Sequence, residues 1–112
     1  MESEITPLVS GLLSRELGEA DSWHQLALYR LELAETRAAV EINLREAAAR
    51  DGVKLTEGAV AAHVTIDPAV RDAERKVLSA EHALRTTRAR VEGEQWTLKL
   101  ALAKLMQSVT PR

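Results

Sequence analysis

At 112 residues the chain is most simply one domain, and 46% hydrophobic content is enough for a folded one. The apolar residues are mostly Ala, Leu and Val, with no Phe and aromatics at only 3%, a supply that suits thin helix-on-helix packing better than a thick globular core. With 15 basic against 17 acidic residues the net charge is -2, so no overall positive field draws nucleic acid or anionic lipid, and zero cysteines exclude disulfides, thiolate zinc sites and cysteine nucleophiles.

Glu2 and Glu4 stand where a signal peptide needs positive charge, and no apolar run approaches membrane-spanning length, so no membrane association and a cytoplasmic location are expected. Thr6 before Pro7 reads as an N-cap with proline at the first helical position, where its missing N–H costs nothing. Leu8 and Leu12, with Val9, Leu13 and Leu17, share one helical face, and Gly18 offers a stop. The pattern predicts a short amphipathic helix over 7–17, whose apolar face needs cover from this chain or a neighbouring subunit.

Ser22 and Gln25 have capping-box spacing, and no proline or glycine follows until Gly52, so a long helix is predicted over 22–51. Trp23, Ala27, Leu31, Ala34, Ala38 and Ile42 recur at helical spacing, with Leu26, Leu33, Val40 and Leu44 as a second stripe beside them. Gly52 can take the left-handed conformation that closes the helix, with Val53 placed to pack back on Ala48. Thr56 then caps a short helix over 56–65, and Asp67-Pro68 opens a last helix over 68–107.

That last run is the most regular. Val70, Val77, Leu84, Val91, Leu98 and Leu105 fall at strict intervals of seven, with Ala73, Ala80, Thr87 and Ala101 three residues further on, which predicts a left-handed supercoil against a partner helix. A second stripe of Gly93, Trp96, Leu100 and Ala103 points away from that seam, and one helix partner cannot cover both. Trp96, Leu100 and Gly93, with Leu8 and Leu12, are therefore the candidate oligomer interface. The elements together predict an all-α fold: a long antiparallel helical hairpin with a short helix at its turn and a short N-terminal amphipathic helix, oligomeric.

No P-loop, nucleophile elbow or dinucleotide fingerprint occurs, and His24, His63 and His82 lie far apart without carboxylate spacing that suggests metal. A non-enzyme without cofactor or metal is expected. Two basic windows remain. Arg85 to Arg90 holds three arginines, two hydroxyls and no acid, a phosphate-contacting pattern. In a hairpin turning near residues 52–67 it would equally face Glu32 and Glu35 and form ion pairs. Arg45, Arg50, Lys54, Arg71, Arg75 and Lys76 form the better cluster, brought to the turn by both helix ends and diluted by Asp51, Glu57, Asp67, Asp72 and Glu74. Trp23 and Trp96 could stack on unpaired bases or serve as packing anchors.

At Lys54-Leu-Thr-Glu57, followed by Val60, Val64, Asp67 and a long regular helix, the chain resembles the UvsY-like recombination mediator proteins of tailed phages. The similarity spans roughly Leu26 to Leu105. The resemblance implies a small helical oligomer, a closed ring, that binds single-stranded DNA and helps load a RecA-type recombinase in place of a single-strand-binding protein. Lys54 and Thr56 match the motif directly; Arg45, Arg50, Arg71 and Arg75 are candidates by location. The competing expectation is a structural or partner-binding helical oligomer of the phage assembly or scaffold type, without nucleic-acid binding.

Overall fold

The computed structural model describes residues 2–109 and contains three helices in the order α1 (Glu2–Arg50), α2 (Glu57–Ile66) and α3 (Pro68–Val109). No strand occurs among the described residues, and none of their helices is long and apolar enough to cross a membrane. Residue 1 and residues 110–112, the ends of the expected 1–112 domain, lie outside the described residues.

The N-terminal half departs from the sequence expectation. In place of separate helices over 7–17 and 22–51, α1 is one helix of 49 residues that runs through Thr6, Pro7, Gly18 and Ser22. The Ser22 hydroxyl does not cap; it donates back to the Gly18 carbonyl at 3.0 Å. A mid-helix glycine costs only about 1 kcal/mol relative to alanine, and good helix formers flank Gly18. Contacts with α3 bracket it: Arg15 pairs with Glu94, the Gln95 amide donates to Glu16 at 3.4 Å, and Arg88 donates to Glu19 at 3.3 Å. The helix continues here with α3 alongside it, where local signals alone suggest a stop.

The turn follows its sequence closely. Gly52 has φ +68°, Val53 N–H donates to the Ala48 carbonyl at 2.9 Å and Gly52 N–H to Ala49 at 3.3 Å, so the last carbonyls of α1 are satisfied by a left-handed glycine cap. The Thr56 hydroxyl accepts from Ala59 N–H at 3.1 Å and caps α2. Asp67 accepts from the N–H groups of Ala69 and Val70 at 2.9 and 3.3 Å and caps α3 ahead of Pro68.

The chain divides into two units, Gln25–Glu81 and a second made of Met1–His24 with His82–Arg112. In the first, Leu26, Val60, Val70, Ala73, Val77 and Ala80 are buried, so the heptad positions of α3 and one face of α2 close on one stripe of α1. That stripe is Leu26, Tyr29, Leu33, Thr36, Val40 and Leu44; Leu26 is only 1% exposed and the others are half-buried. Its neighbour is left out: Ala27, Leu31, Ala34, Ala38 and Ile42 are all exposed. Beside the covered stripe, Arg30 meets Glu81 at 3.5 Å, Lys76 meets Glu32 at 3.1 Å and Arg37 meets Glu74 at 3.0 Å. Exposed pairs such as these add little stability, but they discriminate between registers.

In the second unit Leu84 and Val91 are buried, and Thr87, Leu98, Ala101 and Leu105 are half-buried. The Arg85–Arg90 window belongs here. Arg88 donates to Glu19, whereas Glu32 is held by Lys76, so the expected facing of this window with Glu32 and Glu35 is not what forms. In the Gln25–Glu81 unit, Asp67 shares a groove with Val40, Asn43 and Leu44. The first residues of α3 therefore stand beside α1 well before its end, and the rungs of this unit shift towards lower α1 numbers.

Candidate nucleic-acid interface

The six sequence candidates near the turn divide into two groups. Arg45 and Thr56 have structural employment. Arg45 donates to both carboxylate oxygens of Glu57 at 2.9 and 3.1 Å and to Glu41 at 3.1 Å. Its hydrogen bond to Glu57, then that to Glu41, raises the guanidinium above its already high ordinary value. The Thr56 hydroxyl oxygen is committed to the α2 cap. Arg50, Lys54, Arg71 and Arg75 are exposed and have no ion-pair partner among the described residues.

These four are less focused than the sequence suggests. Arg50 ends α1 and Lys54 follows the glycine turn, but α3 begins beside Asn43 and Leu44. With Asp67 beside Asn43 and Glu74 paired with Arg37, Arg71 and Arg75 are set back from Arg50 along α1 by roughly 15 and 20 Å of helical rise. The charge balance is even: residues 45–76 hold six basic and six acidic side chains. Any attraction for a polyanion must come from the local excess of unpaired cations, not from the field of the unit.

In the second basic window Arg88 and both hydroxyls are occupied, while Arg85 and Arg90 are exposed and hold no carboxylate among the described residues. Arg88 lies over the Trp23 ring at 5.1 Å from its centroid while donating to Glu19, and the hydroxyls of Thr86 and Thr87 donate to the carbonyls of His82 and Ala83 at 3.0 and 2.9 Å. Those donors are spent on the helix, and one face of Trp23 carries a cation in place of a base. Arg90 lines a shallow groove with Ser14, Arg15, Gly18, Ser22 and Thr87. No group of three or more His, Asp and Glu side chains among the described residues is arranged to hold a metal ion.

The candidate interface residues also separate. Trp96 and Leu100 are 65% and 58% exposed, Lys99 lies 5.6 Å from the Trp96 ring centroid, and nothing comes within 4 Å of where a Gly93 side chain would begin. Leu8 and Leu12 are half-buried within their own unit, and Leu8 lines one groove with Ile5, Leu100, Ala101 and Leu105. The N-terminal stretch thus covers one flank of Leu100 and leaves Trp96 uncovered. Sequence reasoning missed the exposure of Ala27, Leu31, Ala34, Ala38 and Ile42. A signal existed: α3 has one seam, α1 has two apolar stripes, and a single partner helix covers one of them.

The chain matches no family model, no curated protein and no solved structure.

Proposed function

We propose that this chain is a non-enzymatic helical subunit, folded as an antiparallel hairpin and assembled with copies of itself, that binds single-stranded DNA in the manner of a recombination mediator. On this reading it helps a RecA-type recombinase replace a single-strand-binding protein, in the cytoplasm of a bacterial host. One observation carries it. In the Gln25–Glu81 unit, Arg30, Arg37, Arg45 and Lys76 each hold a carboxylate, whereas Arg50, Lys54, Arg71 and Arg75 hold none. Paired cations line the helix contacts, and the unpaired ones form a looser set, Arg50 and Lys54 at the turn and Arg71 and Arg75 on the first turns of α3. The opposite running order of partners in each unit, Arg30 with Glu81 and Arg37 with Glu74, Arg15 with Glu94 and Glu19 with Arg88, supports the antiparallel hairpin. Four cations per chain give modest affinity, which a ring would multiply by repeating the patch.

The test is a single-stranded DNA titration at two salt concentrations, paired with a mass measurement. Binding should weaken with salt, by roughly 0.7 in log–log slope per phosphate neutralised, and changing Arg50, Lys54 and Arg71 to Ala should flatten the slope. No binding at low salt, or binding indifferent to those changes, defeats the reading.

A second reading is a structural or partner-binding oligomer of the phage assembly or scaffold type. It is favoured by the even charge of residues 45–76 and by the exposure of Trp96 and Leu100. Trp96→Ala would then lower assembly or partner binding and leave nucleic-acid binding untouched.

A further inference from the structure

We infer that the outward face of α1 in the Gln25–Glu81 unit is a second helical seam, and that its occupant is the same face of another copy of this chain, packed parallel and in register. Ala27, Leu31, Ala34 and Ala38 follow at steps of four, three and four and all four are exposed, Leu31 by 56%; the next core position is Glu41, which Arg45 holds, and Ile42 beside it is 55% accessible. Such spacing is that of the core positions of a coiled coil, and it lies on the side of the helix away from Leu26, Leu33 and Val40, which the chain covers itself. Three alanines around a single leucine permit close approach of two helices. This surface is separate from the Trp96 face and from the turn cations, and the inference stands whether or not DNA is bound.

Charge selects the occupant and its direction. The residues flanking the seam are Arg30 and Arg37 on one side, and Leu28, Glu35 and Ile42 on the other. In a parallel pair, a residue just before one core position faces the residue five further along the other helix. Arg30 then faces Glu35 of the second copy, and by symmetry this happens twice. Among the described residues Glu35, which is exposed, has no ion pair, and Arg30 has a 3.5 Å contact with Glu81. An antiparallel pair would instead set Arg30 against Arg37 of the other copy, two like-charge contacts, and leave both Glu35 carboxylates without a cation. The flanking charges thus complement a parallel copy of this helix and oppose the reversed one.

The chain has no cysteine, so single cysteines report pairing directly. In the full chain, Ala27→Cys and Ala38→Cys should each cross-link to themselves on mild oxidation, and Ser79→Cys, exposed on α3, should not. If α1 pairs antiparallel, Ala27→Cys should link only to Ala38→Cys when the two variants are mixed, since the positions are roughly 16 Å apart along one helix. Leu31→Glu should abolish the dimer while helical circular dichroism is retained. Glu35→Arg should raise the dimer dissociation constant about tenfold, and Arg30→Glu combined with Glu35→Arg should restore it. A monomer mass at all concentrations, cross-linking of 27 only to 38, or equal cross-linking at 79 overturns the inference. So does a dimer that survives Leu31→Glu but is lost with Trp96→Ala.

Discussion

Arg45, near the end of α1, grips Glu57, the first residue of α2, through two hydrogen bonds of 2.9 and 3.1 Å. This one contact ties the short helix to the long one across the glycine turn. Because Glu57 and Glu41 hold the arginine above its ordinary value, the arginine's share is complete below the ordinary arginine range wherever both carboxylates are charged, and on the basic side it is lost only beyond that range. The grip is thus insensitive to the basic limb in practice. Glu57→Gln removes the charge while keeping the shape, and the α2 amides from Val60 to Val64 should exchange with solvent several-fold faster. Amides around Val77 should be unchanged, which hydrogen exchange resolved by residue would show.

Thr56 tests whether the turn motif is structural or DNA-contacting. Its hydroxyl accepts from Ala59 N–H, so Thr56→Ala should cost about 1 kcal/mol through loss of the α2 cap, and Thr56→Ser should cost much less. Thermal unfolding of the two variants measures this. If the alanine and serine variants bind single-stranded DNA equally well, the hydroxyl serves the helix alone.

Lys76 gives the pH dependence that can be reached. The hydrogen bond and charge of Glu32 raise its ammonium above the ordinary lysine value, with smaller help from Asp72 and Tyr29. A raised folded-state value means that its stabilisation is complete below the ordinary lysine range, about 10.4, and fades as pH climbs through the folded value. The Gln25–Glu81 unit should therefore lose stability as pH rises beyond about 10. Lys76→Met should remove the part of that loss that belongs to this pair, read from denaturant midpoints at pH 8 and at alkaline pH.

The two apolar stripes of α1 should respond differently to truncation. Leu26 is 1% exposed, so Leu26→Ala should cost about 2–5 kcal/mol of chain stability. Leu31 is 56% exposed, and Leu31→Ala should change the stability of the isolated chain by less than about 0.5 kcal/mol. A dilution series in denaturant separates this from any loss of association.

The comparison of those stripes also shows what the sequence made legible. Turn chemistry is local, so Gly52, Thr56 and Asp67-Pro68 announced their caps, and the strict repeat from Val70 to Val91 announced the buried face of α3. What a residue meets across the fold is not local. Thr6-Pro7, Gly18 and Ser22 have the local chemistry of helix ends, yet α1 passes through them, and around Gly18 the helix meets α3 at Arg15, Glu16 and Glu19. Likewise nothing in the Arg85–Arg90 window reveals that Arg88 meets Glu19 and Trp23. At the candidate site, Lys54 and Arg50 were legible as cations, but the capture of Arg45 by Glu57 depends on how α2 lies beside α1.

Gly93 offers the last test, because its role in the chain differs from its expected role in an interface. Nothing lies within 4 Å of a side chain added there, and the residue sits inside α3. Gly93→Ala should therefore stabilise the isolated chain by about 1 kcal/mol through helix propensity alone. If the glycine instead serves a close approach by another subunit on the Trp96 face, the added methyl opposes assembly while still stabilising the helix. Thermal unfolding at low protein concentration should show the gain, and mass measured against concentration should show whether association weakens. A gain in stability with unchanged association would remove Gly93 from the interface, while Trp96 and Leu100 would keep their standing as its exposed apolar residues.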